Sequence, residues 1–142
     1  MSGGGRNGGG KRDTRLIHAG SNPAENHGIV NQPVYRASTV IFPSVQAMKD
    51  AEKTRFDTTY YGVHGTPTTF ALEDAMADLE GGYRAVSVSS GLAAVSTALI
   101  AYLQAGDHLL MVDSVYGPTR NFCNNTLKRF GVETTYYDPL IG

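Results

Sequence analysis

A chain of 142 residues with 41% hydrophobic and 18% charged residues is long enough to bury a real core and fits a single domain. Its net charge of -1 points to neither a nucleic acid nor an anionic membrane as partner, and no apolar run approaches the length of a membrane span. One cysteine, Cys123, excludes an internal disulfide framework and fits a reducing compartment.

The first ten residues, MSGGGRNGGG, hold six glycines, and the chain through residue 13 is expected to be a flexible tail. The tail has neither the apolar segment of a secretory signal nor the Arg-rich amphipathic pattern of a transit peptide, so the expected location is cytoplasmic. Residues 14–66 form an irregular arm broken by Pro23, Pro33 and Pro43. Within it, Thr14–Gly20 suits one helical turn or a short strand. Ser44 can cap a helix that runs to Arg55. An aromatic and glycine-rich loop, Phe56–Gly65, follows. Thr66 and Pro67 then open a helix with an apolar face of Phe70, Leu72, Ala75, Met76 and Leu79, stopped by Gly81-Gly82.

Beyond this point the pattern becomes regular. Ala85-Val86-Ser87-Val88 alternates like a short buried strand, and Leu92–Leu103 reads as a mostly buried helix. Ser90 and Gly91 stand at the helix start, where the first backbone N–H groups have no intrahelical partner. Such an end attracts an anion, and glycine permits close approach. A serine N-cap would satisfy the same donors from within. A strand at His108–Val112 is followed by the polar loop Asp113–Pro118, a helix to about Phe130 ended by Gly131, and a strand over Val132–Tyr137.

This β-α-β-α-β order predicts an α/β fold with parallel strands covered by helices, whose ligands bind outside the carboxyl ends of the strands. Ser89-Ser90-Gly91 and Asp113–Pro118 meet there on one edge, which favours the anion site. A sheet of three strands would leave two open edges and a half-built helix layer, so the chain reads as part of a larger fold.

Three stretches in order, Tyr61-Gly62-Val63-His64-Gly65-Thr66-Pro67-Thr68, Ser89-Ser90-Gly91-Leu92-Ala93-Ala94 and Asp113-Ser114-Val115-Tyr116-Gly117-Pro118-Thr119, resemble the N-terminal part of the pyridoxal-phosphate (PLP) enzymes of Cys/Met metabolism. Within that family the similarity is greatest to bacterial cystathionine β-lyases. It runs from about Thr14 to Gly142. The resemblance implies a fragment of the large domain of a fold type I PLP enzyme, with residues 67–142 as the beginning of the cofactor-binding domain. The implied activity is α,β-elimination of L-cystathionine to homocysteine, pyruvate and ammonia. A γ-synthase or γ-lyase on the same framework, or a non-catalytic remnant, are the alternatives.

By the same resemblance, the cofactor-binding residues are Ser90, Gly91, Leu92, Tyr116 and Tyr61. The N–H groups of Gly91 and Leu92 cradle the phosphate, and Tyr116 lies over the pyridine ring. Tyr61 reaches across a homodimer, or one interface of a tetramer, toward the neighbour's phosphate and adjusts protonation near the substrate amine. The chain departs from the family at Val63, where an arginine is usual; valine donates nothing, and His64 follows it. The lysine that carries the cofactor, its acidic partner and the substrate-carboxylate arginine are all expected downstream. Lys11, Lys49, Lys53 and Lys128 do not sit at a strand end facing the site. The chain alone is therefore expected to hold half a cofactor pocket and not to turn over. His18, His27 and His108 show no metal-ligand spacing.

Overall fold

Side-chain hydrogen bonds secure the starts of three helices of this protein. A computed structural model describes residues 12–141. The glycine-rich start and Lys11 lie outside the described residues, whereas Arg12 and Asp13 already belong to the first helix, α1 (Arg12–His18). In α2 (Val45–Glu52), Ser44 Oγ accepts the N–H of Ala47 at 3.1 Å. In α3 (Pro67–Glu80), Thr69 Oγ1 accepts the N–H of Thr66 at 3.0 Å, Pro67 occupies the first turn, and Gly81 ends the helix at φ 65°.

The chain divides into two compact units, Met1–Ser87 and Val88–Gly142, where the length alone suits one. In the first, Arg15 ties α1 to α3 through Asp78, at 2.8 Å to Oδ1 and 2.6 Å to the carbonyl. Thr68 Oγ1 donates to Pro33 O at 2.7 Å and accepts the N–H of Tyr35 at 2.8 Å, which moors the irregular arm to α3. Leu72 and Met76, expected on the apolar face of α3, are exposed.

The second unit holds α4 (Gly91–Tyr102), β1 (His108–Val112), α5 (Gly117–Asn121), a π-helical turn (Phe122–Leu127) and β2 (Glu133–Tyr137). β1 and β2 pair in parallel, from His108↔Glu133 to Val112↔Tyr137. Gly131, at φ 80°, stops the helix between them. The buried apolar side chains among the described residues are Cys123, Leu127 and Val132, flanked by Leu99, Leu103, Leu109, Met111 and Phe122. Full burial of Leu127 contributes about 1.5–3 kcal/mol.

Two expectations are corrected here. Residues 85–88 form no strand, so the sheet has two strands and not three, and α4 is not mostly buried. Both follow from one cause. A strand exists only by pairing with a neighbour, and among the described residues nothing forms a ladder with 85–88. Without that strand the helix loses the surface on which its apolar side chains would pack, and Leu92, Ile100 and Tyr102 stay exposed. The remaining β-α-β unit is parallel, as the alternation predicts. No helix among the described residues is long and apolar enough to cross a membrane.

Burial pushes the Cys123 thiol above its ordinary value. Unfolding returns it to the usual range, so the unfolded chain sheds this proton first. Stability is then expected to fall as pH rises above about 8.5. Alkylation at that pH should run on the order of a hundredfold slower in the native chain than in urea, because the thiol reacts only through opening. Equal rates in the two states would show Cys123 to be accessible.

Candidate functional site

Ser90 stands in an extended conformation (φ -163°, ψ 163°), and its Oγ accepts the N–H of Ala93 at 3.1 Å. The serine is therefore an N-cap. The cap takes the third donor of α4 and leaves the first two: among the described residues no protein acceptor reaches the N–H of Gly91 or Leu92. Cap and anion site are thus compatible, because one hydroxyl cannot satisfy three amides.

The space at Gly91 matches this. A Cβ built there meets no atom within 4 Å, and the glycine has no positive φ, so neither packing nor backbone strain requires glycine. An oxyanion approaching the two open amides is what a side chain at 91 would obstruct. The donor set, two backbone N–H groups at the positive end of a twelve-residue helix, suits a phosphate group.

Tyr116 sits on the loop leaving the carboxyl end of β1, immediately before α5, and its ring is 65% exposed. α4 packs against α5. Leu92, on the first turn of α4, and Pro118, two residues after Tyr116, line one shallow cleft of about 370 Å³. Ser90, Gly91, Leu92 and the Tyr116 loop therefore share one end of the second unit.

Tyr61 belongs to the first unit. Its loop is pinned by Gly62, whose N–H donates to Ser38 O at 2.7 Å. A Cβ on Gly62 would lie 1.9 Å from Ala37 O, so only glycine fits. His64 lies among three rings: stacked with Tyr60 at 5.9 Å, edge-on to Tyr61 at 5.8 Å and tilted against Phe56 at 5.7 Å. Val63 is 75% exposed. A neighbouring cleft of about 400 Å³ is lined by Phe56, Val63, His64, Glu73, Arg84 and Ser87 among others. Arg84 there is already bonded to Asp57 at 2.5 Å, and Glu73 accepts from Ser87 N and Oγ at 2.7 and 2.8 Å.

Sequence reasoning missed the bracing of the Tyr116 loop. Arg120 Nη2 bonds Asp113 Oδ1 at 2.7 Å and also the Asp113 carbonyl, and its guanidinium lies 4.0 Å from the centre of the Tyr136 ring. Burial pushes the Tyr136 phenol above its ordinary value, so it stays protonated and donates to Asn124 Oδ1 at 2.8 Å. Opposite charges flanking a Tyr-Gly-Pro turn were the available signal. The π-helical turn was also missed. Thr119, Cys123 and Leu127 are buried on one face at intervals of four, a spacing that an ordinary α-helix also gives and that carries no sign of the wider turn.

Comparison with known proteins converges on one group. Residues 13–142 match the model of the Cys/Met metabolism PLP-dependent enzymes. The chain is 42% identical over 133 residues to cystathionine beta-lyase MetC of Escherichia coli, covering 93% of this chain and 34% of that protein. Its structure is similar to that of metB from Corynebacterium glutamicum, with TM-score 0.81, 31% identity and coverage of 94% of this chain and 32% of that one. It is also similar to cystathionine gamma-lyase from Lactobacillus plantarum complexed with L-serine, with TM-score 0.77, 32% identity and coverage of 91% and 31%. The chain spans about a third of the length of the curated relatives it matches.

The geometry separates three substitutions in urea denaturation. Ser90→Ala should cost about 1 kcal/mol through the lost cap. Gly91→Ala should be neutral or stabilising by about 0.4–1 kcal/mol, since it gains helix propensity and meets no atom. Gly62→Ala should cost about 1–3 kcal/mol, because the added methyl overlaps a carbonyl that cannot turn away. A destabilising Gly91→Ala would mean that the glycine serves packing.

Proposed function

Because the chain belongs to the family of Cys/Met metabolism PLP-dependent enzymes, we propose that it supplies the phosphate cradle and the ring-stacking tyrosine of a carbon–sulfur lyase acting on L-cystathionine. The observation carrying this reading is the pair of open amides on Gly91 and Leu92 beside the Tyr116 loop. Residues 14–66 serve as the arm and dimer loop, and residues 67–142 begin the cofactor-binding domain.

PLP, when bound, supplies an electron sink for the pair left on the substrate α-carbon after proton removal. The N–H groups of Gly91 and Leu92 donate to its phosphate, and Ser90 keeps α4 wound so that both donors point the same way. The Tyr116 face holds the planar ring while leaving its edge open to hydrogen bonds. Tyr61 reaches the site of a second copy in a homodimer, where its phenol holds or moves a proton at the substrate amine. Val63 donates nothing to the phosphate, so affinity rests on the backbone cradle, and His64 steadies the Tyr61 ring against Tyr60 and Phe56. Elimination breaks the bond from the β-carbon to sulfur, the sulfur leaves with a proton as homocysteine, and the remaining enamine is hydrolysed by water to pyruvate and ammonia. The likeness to a γ-lyase supports a second reading, γ-elimination or γ-replacement on the same framework.

Lys49 lies on α2, Lys53 pairs with Asp50 at 2.7 Å, and Lys128 is exposed beyond the π-helical turn. The 142-residue chain incubated with PLP and L-cystathionine should therefore bind the cofactor reversibly, prefer it to pyridoxal, and release no pyruvate above the free-cofactor background. A protein spanning the full length of the family and carrying this segment should release pyruvate and not 2-oxobutyrate. Pyruvate from the isolated chain would overturn the proposed inactivity, and 2-oxobutyrate from the longer protein would move the assignment to the γ-type.

A further inference from the structure

We propose that Arg120 is a positioning residue for Tyr116: by bridging Asp113 and lying on Tyr136, it closes the loop that sets how the tyrosine ring presents its face. The proposal rests on the reading of Tyr116 as the residue that stacks on the cofactor, and it concerns how that ring is held.

Tyr116 is 65% exposed, so its ring takes little guidance from packing, and its backbone decides from where and over which rotamers the ring is presented. That backbone is fixed at both ends by a single residue. At the near end, Arg120 N–H donates to Tyr116 O at 3.1 Å, the first bond of the helix. At the far end, the Arg120 guanidinium bonds the Asp113 carboxylate and carbonyl together. Asp113 is in turn anchored to the sheet through its N–H, which donates to Tyr137 O at 2.8 Å. Arg120 is itself held from two sides. Its guanidinium covers the Tyr136 ring, and its predecessor Thr119 is 2% exposed.

The pair is more than a surface ion pair of negligible worth. One nitrogen, Nη2, bonds both Asp113 oxygens while the guanidinium plane lies on the Tyr136 ring, and a lysine ammonium has no plane to reproduce that stacking. Seven residues separate Asp113 from Arg120, and Tyr116 lies between them. With the guanidinium removed, the loop keeps its ends but loses its closure, and the exposed ring samples several attitudes.

The test uses the intact chain with ¹⁵N-labelled backbone and ¹³C-labelled tyrosine rings, titrated with pyridoxal 5'-phosphate and, separately, with inorganic phosphate. In the wild type, PLP should shift the Gly91 and Leu92 amides and the Tyr116 ring together, whereas phosphate shifts the amides alone. In Arg120→Met, inorganic phosphate should shift the same amides at the same midpoint. The Tyr116 ring should move less with PLP, and PLP affinity should fall about three- to tenfold, the size of one aromatic contact. Arg120→Lys should recover only part of the ring response. If Arg120→Met does not fold, Asp113→Asn, which keeps the carbonyl and removes the charge, is expected to weaken the ring response in the same direction. A full Tyr116 response in the folded Arg120→Met chain, or in Asp113→Asn where Arg120→Met does not fold, overturns the proposal. Absence of any amide shift in the wild type defeats the cofactor reading instead. In that case ring relaxation without ligand decides the positioning role: more Tyr116 motion in the variant than in the wild type upholds it, and equal motion refutes it.

Discussion

Backbone amides at the start of a helix must find acceptors, and the second unit is organised around how α4 meets that demand. One hydroxyl, Ser90 Oγ, takes the Ala93 N–H and leaves those of Gly91 and Leu92 to whatever lies outside the protein. The helix packs against α5, and its Leu92 lines one cleft with Pro118, which brings this end beside the Tyr116 loop. Had the cap been a residue without a side-chain acceptor, three amides would compete for solvent and the first turn would fray. The serine makes two donors available by securing a third.

The two units solve a similar problem by different means. Neither binding feature is supported by a large core: of the buried apolar side chains among the described residues, Cys123 and Leu127 belong to the π-helical turn and Val132 precedes β2. Tyr116 stands at the start of α5, which holds the buried Thr119 and leads into that turn. Tyr61 stands on a loop held by a glycine contact and an aromatic cluster around His64. The first mount is set by burial. The second is set by backbone proximity, which admits no side chain at Gly62.

Much of this was legible in the residues. Local rules located the helix starts, because Ser44, Thr66-Pro67 and Ser90 state their roles within four positions. They located β1 and β2, whose apolar and β-branched residues lie between turn signals, and the family resemblance carried by the three motifs is matched over residues 13–142. The failures were non-local. Residues 85–88 have the alternation of a strand, but alternation describes faces and cannot provide a partner. The apolar sequence of α4 records a surface to be covered, and coverage depends on neighbours the pattern does not name. The Arg84–Asp57 bridge was missed for the same reason, since a charge in a sequence does not disclose what it faces across the chain.

The pairing of β1 with β2 leaves a further mark on the protein. Each strand has one side satisfied by the other, and among the described residues the opposite sides carry rows of amide and carbonyl groups with no ladder. Such rows are templates that do not distinguish an added strand of the same fold from a strand of another molecule. Leu110 and Tyr137 stand exposed on these strands, with apolar surface that a docking strand would cover. Strand addition at either edge would extend the sheet by the same parallel or antiparallel ladder geometry that joins β1 to β2 or that closes a hairpin.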